Sequence, residues 1–95
     1  SDAFESEKSN YITEKPAWYK KKIISKTIDI RDMLNAGEQT VHEVLSAVKK
    51  LGKNEILQVI APFIPAPLID KCLSLNYKHW LHKKGEEEYW VFMKK

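Results

Sequence analysis

Cys72 is the only thiol in a chain of 95 residues, and a search for a nucleophile starts there. Helical spacing between residues 67 and 76 places it on one face with Leu68, Ile69 and Leu73. A thiol among apolar neighbours keeps its proton and stays inert. Core packing is therefore the expectation, with a sulfur-transfer or redox role for Cys72 as the alternative. His79 and His82 form an H-x-x-H pair, with His42 elsewhere. On a strand, residues three apart face opposite ways, and zinc needs a full tetrahedral set of ligands. No metal site and no cofactor are expected. Asp29 and Arg31 project the same way from an alternating stretch and can pair; Asp32 and Glu38 follow in the next loop. None stands at a spacing that recruits a partner for acid–base work. Gly37, Gly52 and Gly85 are too far apart for a phosphate-cradling loop. No catalytic residue is assigned, and the balance falls against an enzyme.

The most distinctive local feature is Pro62-Phe63-Ile64-Pro65-Ala66-Pro67. Its plain reading is rigid punctuation between a strand and a helix. Its functional reading is one wall of a ligand or partner groove, with the helix start at Pro67 aiming free N–H groups at an anion. Residues 37–40 are expected beside it, because both loops follow strand C-terminal ends, the edge that ligands favour in open α/β sheets.

The elements that position these residues follow from periodicity. Residues 23–31 read as the first strand, with Ile28 and Ile30 on one face and Thr27, Asp29 and Arg31 on the other. Val41, Val44, Leu45, Val48 and Leu51 make the stripe of a first helix. Thr40 and Glu43 have capping-box spacing at its start, and Gly52 sits where a left-handed cap belongs. Residues 55–61 are nearly continuously apolar, as in a central covered strand. A second helix starts at Pro67 and ends near Asn76, a candidate left-handed terminator. Residues 77–82 and 88–93 form a hairpin turning through 83–87. The sum is an α/β (α+β) two-layer sandwich in the order βαβαββ, a mixed four-stranded sheet with two helices on one face. Residues 1–15 read as a flexible lead-in and 16–95 as one domain. The hairpin also carries Trp80, Trp90 and Phe92 on its second face. That face is too aromatic to leave in water, so the Trp18-Tyr19 segment or a second copy of the chain is expected to cover it.

The formal net charge of +3 is too small to argue for nucleic acid by itself. Lysines gather at Lys20, Lys21 and Lys22, at Lys49 and Lys50, and at Lys83 and Lys84, and read as solvated surface. No apolar run reaches the length of a membrane span, and residues 1–10 lack the apolar core of a secretory signal. With no disulfide possible, the cytoplasm is the expected location.

The order of elements resembles the small sulfur carriers of the TusA/SirA type, and more closely the bacterial domain family DUF2249. The residues that carry the resemblance are Ile28-Asp29-Ile30-Arg31, Ala36-Gly37-Glu38, the stretch 51–55, and above all Ala61-Pro62-Phe63-Ile64-Pro65-Ala66-Pro67-Leu68-Ile69-Asp70, with Pro16-Ala17-Trp18-Tyr19 as the lead-in. It covers residues 16–93 and implies the TusA/SirA-like sandwich. The sulfur carriers begin their first helix with Cys-Pro-x-Pro, whose thiolate accepts sulfur. Here Gly37 stands at that position, followed by Glu38, Gln39 and Thr40, so the nucleophile is absent.

The expected function is a non-catalytic binding module that docks a protein partner or small ligand through Gly37, Glu38, Thr40, Pro62, Phe63 and Pro65. The alternatives are a sulfur-transfer or redox accessory protein using Cys72, and a single-strand nucleic-acid binder using the aromatic sheet face. Nucleic acid ranks last, because Trp80 and Trp90 are better used in packing. A homodimer through that same face stays open.

Overall fold

Alternating and continuous apolar runs give strands where they were expected, and the sheet they form is mixed. The computed structural model describes residues 11–33 and 38–95. Strand β1 spans Ile24–Asp29, helix α1 Glu38–Lys49, β2 Ile56–Ala61, α2 Ala66–Ser74, β3 Lys78–Gly85 and β4 Glu88–Lys94. Short 3-10 turns at Lys21–Ile23 and Arg31–Met33 bracket β1. The strand order is β1-β2-β4-β3. β1 runs parallel to β2, while β2 and β3 each pair antiparallel with β4. The nearly all-apolar β2 is thus interior, with its first two residues fully buried.

Both helices lie on one face and close a two-layer sandwich. Val44, Val48 and Leu51 of the first helical stripe and Leu68, Ile69 and Cys72 of the second pack on Leu57, Val59, Val91 and Met93 of the sheet. Each fully buried side chain of this size contributes about 1.5–3 kcal/mol. On the second face Ile56, Trp80 and Phe92 form a smaller cluster covered by Trp18, Tyr19 and Ile23 of the same chain. The Tyr19 ring meets Trp80 and Phe92 edge-on at 4.8 and 4.7 Å, and Trp80 stacks on Phe92 at 5.0 Å.

Several local expectations need correction. α1 begins before Thr40, which is its third residue, so the Thr40–Glu43 capping box does not form. Instead the Thr40 hydroxyl is buried with no hydrogen-bond partner among the described residues. Gly52 does not take the left-handed backbone. α1 closes by a tightened last turn, Leu51 N–H to the Val48 carbonyl at 3.0 Å, and Gly52 then donates its N–H to Glu55 Oε1 at 2.7 Å. α2 starts at Ala66, with Pro65 as its N-cap and Pro67 inside the first turn. Leu73 is 40% exposed and is not part of the buried face. The hairpin strands run further than expected, because a register shift between Lys83 and Gly85 carries pairing up to Glu88. Asn76 does terminate α2 in the left-handed region at φ 61. Tyr77 N–H bonds the Cys72 carbonyl at 2.9 Å and Asn76 N–H the Leu73 carbonyl at 3.2 Å, the paired bonds of a Schellman motif.

The first ten residues of the expected lead-in lie outside the described residues; its next three are bound. Leu81 N–H donates to the Ile12 carbonyl at 2.8 Å, Ile12 N–H to His79 Nε2 at 2.9 Å, and Trp80 Nε1 to the Thr13 carbonyl at 3.1 Å. The segment therefore straps the outer edge of β3. Tyr11 lies on the helix side, its hydroxyl on Asp70 Oδ1 at 2.8 Å, and Trp18 and Tyr19 lie on the other side. Among the described residues no helix is long and apolar enough to cross a membrane.

Candidate functional site

β1 and β2 are parallel neighbours, with Ile30 N–H bonded to the Ile60 carbonyl at 2.9 Å. Their C-terminal ends therefore share one edge of the sheet, and the loops that follow start side by side. Gly37 lies outside the described residues, and so does the side chain of Glu38. Thr40 is 7% exposed, and its hydroxyl is buried. In the proline loop Pro62 is half-buried, Pro65 is buried, and Phe63 is 50% exposed. The anchored prolines hold the loop, and the loop turns a large aromatic ring outward.

The start of α2 does not aim free N–H groups at an anion. Ala66 N–H bonds the Ile64 carbonyl at 2.9 Å, Leu68 and Ile69 N–H both bond the Pro65 carbonyl at 3.1 Å, and Pro67 has no N–H. Every donor of the first turn is thus absent or spent, and the electrostatic attraction of an open helix start has no donor to act through. What the loop offers is apolar. Ile64 lines a shallow groove of about 260 Å³ with Tyr11, Thr13, Leu81, Lys83 and Tyr89, between the strap and the hairpin.

Cys72 is fully buried under α2, with its Sγ 3.5 Å from Met93 Sδ. Burial pushes its thiol up to about 12, so a thiolate is not available near neutrality and no solvent-borne substrate reaches the sulfur. His79 and His82 sit on opposite faces. His79 is buried, and desolvation lowers its pKa, consistent with an unprotonated Nε2 that accepts the Ile12 N–H. His82 lies between the Trp80 and Trp90 rings at 5.3 and 6.1 Å. Among the described residues no group of three or more His, Cys, Asp and Glu side chains could hold a metal ion.

Asp29 and Arg31 pair as expected. The Arg31 guanidinium forks onto the carboxylate, Nη2 to Oδ2 at 2.6 Å and Nε to Oδ1 at 2.9 Å. That side-chain bond, helped by the Arg31 backbone N–H, lowers the Asp29 pKa. Arg31 Nη1 also reaches Glu88 Oε1 at 3.9 Å, and Glu88 Oε2 accepts the Trp90 indole N–H at 2.8 Å. Lys84 stands over the Trp90 ring at 5.0 Å. The aromatic face is therefore committed to its own contacts: Trp80 and Phe92 are 8% and 1% exposed, leaving little ring surface for bases to stack on.

Sequence reasoning missed two features. One is the strap; its signal was Tyr11 and Ile12, the last apolar residues of a polar stretch. The other is a groove of about 390 Å³ between α1 and the side of β1 away from β2, lined by Lys26, Ile28, His42, Glu43, Ser46, Ala47 and Lys50. Its signal was the polar helical stripe His42, Ser46 and Lys50, which periodicity reports without its concavity. No protein-family model, curated protein or solved structure matches the chain.

Proposed function

We propose that this chain is a non-catalytic binding module of the TusA/SirA-like, DUF2249-like type, docking a protein partner through Phe63. The observation that carries the reading is a half-exposed aromatic ring held out on a proline loop at the sheet edge where β1 and β2 end. A preset loop loses little freedom on binding, and buried aromatic anchors dominate protein interfaces. A groove lined in part by Ile64, the residue after Phe63, offers a partner side chain a seat. The βαβαββ order with both helices on one face supports the sulfur-carrier-like fold, and Gly37 at the position of the carriers' cysteine supports a non-catalytic role. Cys72, buried against Met93, supports the same role and suits a reducing, cytoplasmic setting.

The test places a photo-crosslinking phenylalanine analogue at position 63, with Lys53 as control position. A discrete adduct to one partner from position 63 and none from 53, with binding of the identified partner lost in Phe63→Ala, is the expected result. Equal labelling from both positions, or unchanged binding by a folded Phe63→Ala variant, refutes the reading.

A further inference from the structure

The two edges of the sheet are treated differently. The β3 edge is occupied by the chain's own extended segment, with the Ile12 carbonyl accepting from Leu81 N–H. At the other end of the sheet, β1 has β2 on one side and, among the described residues, no strand on the other. In a parallel ladder the backbone groups of successive residues point alternately to either side. The Ile30 N–H points to β2, where it bonds the Ile60 carbonyl, so Ile28 shares that direction and Thr27 and Asp29 turn their N–H and C=O groups outward. Both residues are exposed.

The 390 Å³ groove runs beside this edge, on the helix side of the sheet. Ile28 and Ala47 give it apolar surface. Lys26 reaches it from the strand, His42 from α1, and Lys50 from the turn just after α1. Glu43 is the one acid in the lining, and none of these charged groups belongs to an ion pair among the described residues. A concave site with basic walls concentrates field on negative charge.

We propose that the β1 edge is a strand-addition site for an extended acidic peptide segment of a partner protein. The peptide main chain bonds the outward groups of Thr27 and Asp29, and its alternate side chains enter the groove. The residues that enter are Glu or Asp, set against Lys26 and Lys50. The residues between them face the Thr27 side, where the Asp29–Arg31 pair is already satisfied, and are uncharged. The surface is separate from the Phe63 loop and does not depend on its role.

The test titrates the isotope-labelled full chain with a short peptide alternating Glu and Val, and with its Lys counterpart. The expected result is shifts at Lys26 to Asp29 and slowed exchange of the Thr27 and Asp29 amides with the Glu peptide only. Lys26→Glu with Lys50→Glu weakens binding by about 10-fold, the loss expected of two rim charges. Thr27→Pro removes one outward donor at a position where an edge strand tolerates proline, and it lowers affinity with the groove charges intact. Equal binding of both peptides, shifts confined to the hairpin, or no binding by the full chain overturns the proposal. So does equal affinity of inorganic phosphate for Lys26 and Lys50 without protection of the Thr27 and Asp29 amides.

Discussion

His79 ties the strap to the sheet through an unprotonated ring nitrogen, and acid should loosen it. Nε2 accepts the Ile12 N–H at 2.9 Å and can do so only without its own proton. Burial lowers the folded-state pKa below the ordinary 6.5. The unfolded chain therefore binds the proton first, and stability is full above 6.5 and lost as pH falls from 6.5 toward the folded value. Within that window the slope approaches about 1.4 kcal/mol per pH unit. The groups packed around the ring do not reverse the sign. The Tyr11 ring lies perpendicular to it, with centroids 6.1 Å apart, and its hydroxyl is held by Asp70. Met93 is the cross-strand neighbour.

The perturbation is His79→Phe, compared with wild type in urea denaturation followed by tryptophan fluorescence at about pH 7.5 and about pH 5.5, either side of the ordinary histidine value. At the higher pH the variant leaves the Ile12 N–H without an acceptor and costs about 1–3 kcal/mol. At the lower pH wild type loses stability and the gap narrows. Protection of the Ile12 and Leu81 amides, taken relative to the intrinsic exchange rate at each pH, should fall in acid in the wild type, while the core amides of β2 keep theirs. Parallel pH profiles for the two proteins, or an Ile12 amide equally protected at both pH values, would refute the argument.

Three further outcomes follow from the packing. Cys72 should resist alkylation in native protein at neutral pH and react only at the rate of unfolding, read by mass spectrometry against a urea-unfolded control; fast native labelling would restore the thiol reading. Tyr19→Ala should cost about 2 kcal/mol, from its lost burial and its two edge-on ring contacts, and should raise binding of a hydrophobic dye to the uncovered sheet face; an unchanged denaturation midpoint counts against the strap as cover. Asn76→Ala should cost about 1–2 kcal/mol because of its φ of 61, while Asn76→Gly should stay within a few tenths of wild type; equal loss in both variants would place the effect in the side chain.

The strands and helices were legible because each buries one face and so repeats with its own period. Ile28 and Ile30 alternate, and Val44, Val48 and Leu51 recur, whatever surrounds them. Asn76 was legible because a left-handed terminator is a local demand. The capping box failed for the complementary reason. Thr40 and Glu43 have the right spacing, but α1 already starts at Glu38 and draws the Thr40 hydroxyl inside. The anion site at α2 failed because the donors are spent on Ile64 and Pro65 carbonyls, and no residue spacing records where a carbonyl points. Lys83 and Lys84 look like turn residues in the sequence, whereas Lys83 pairs with Tyr89 and Lys84, inside the register shift before Gly85, stands over the Trp90 ring. Of the candidate site, the exposed Phe63 ring was foreseeable from its prolines. The groove beside β1 was not, since its concavity arises only when α1 settles over the sheet.

The strap changes what this small sheet can do at its edges. Two helices cover one face, leaving the apolar Ile56, Trp80 and Phe92 on the other in need of cover. A single extended segment meets that need by crossing the β3 edge. Ile12 pairs with the edge backbone while Trp18 and Tyr19 reach the aromatic cluster beyond it. Covering the face and blocking the edge are therefore one structural act, with His79 at its joint. β1 has no such neighbour among the described residues. It carries Lys26 and a register shift after Ile24, both of which discourage pairing with another copy of itself. Like charges meeting across a self-paired edge repel, whereas an acidic strand meets Lys26 and Lys50 with attraction. The same residues that guard the edge against self-association thus select the sign of the partner that can add to it.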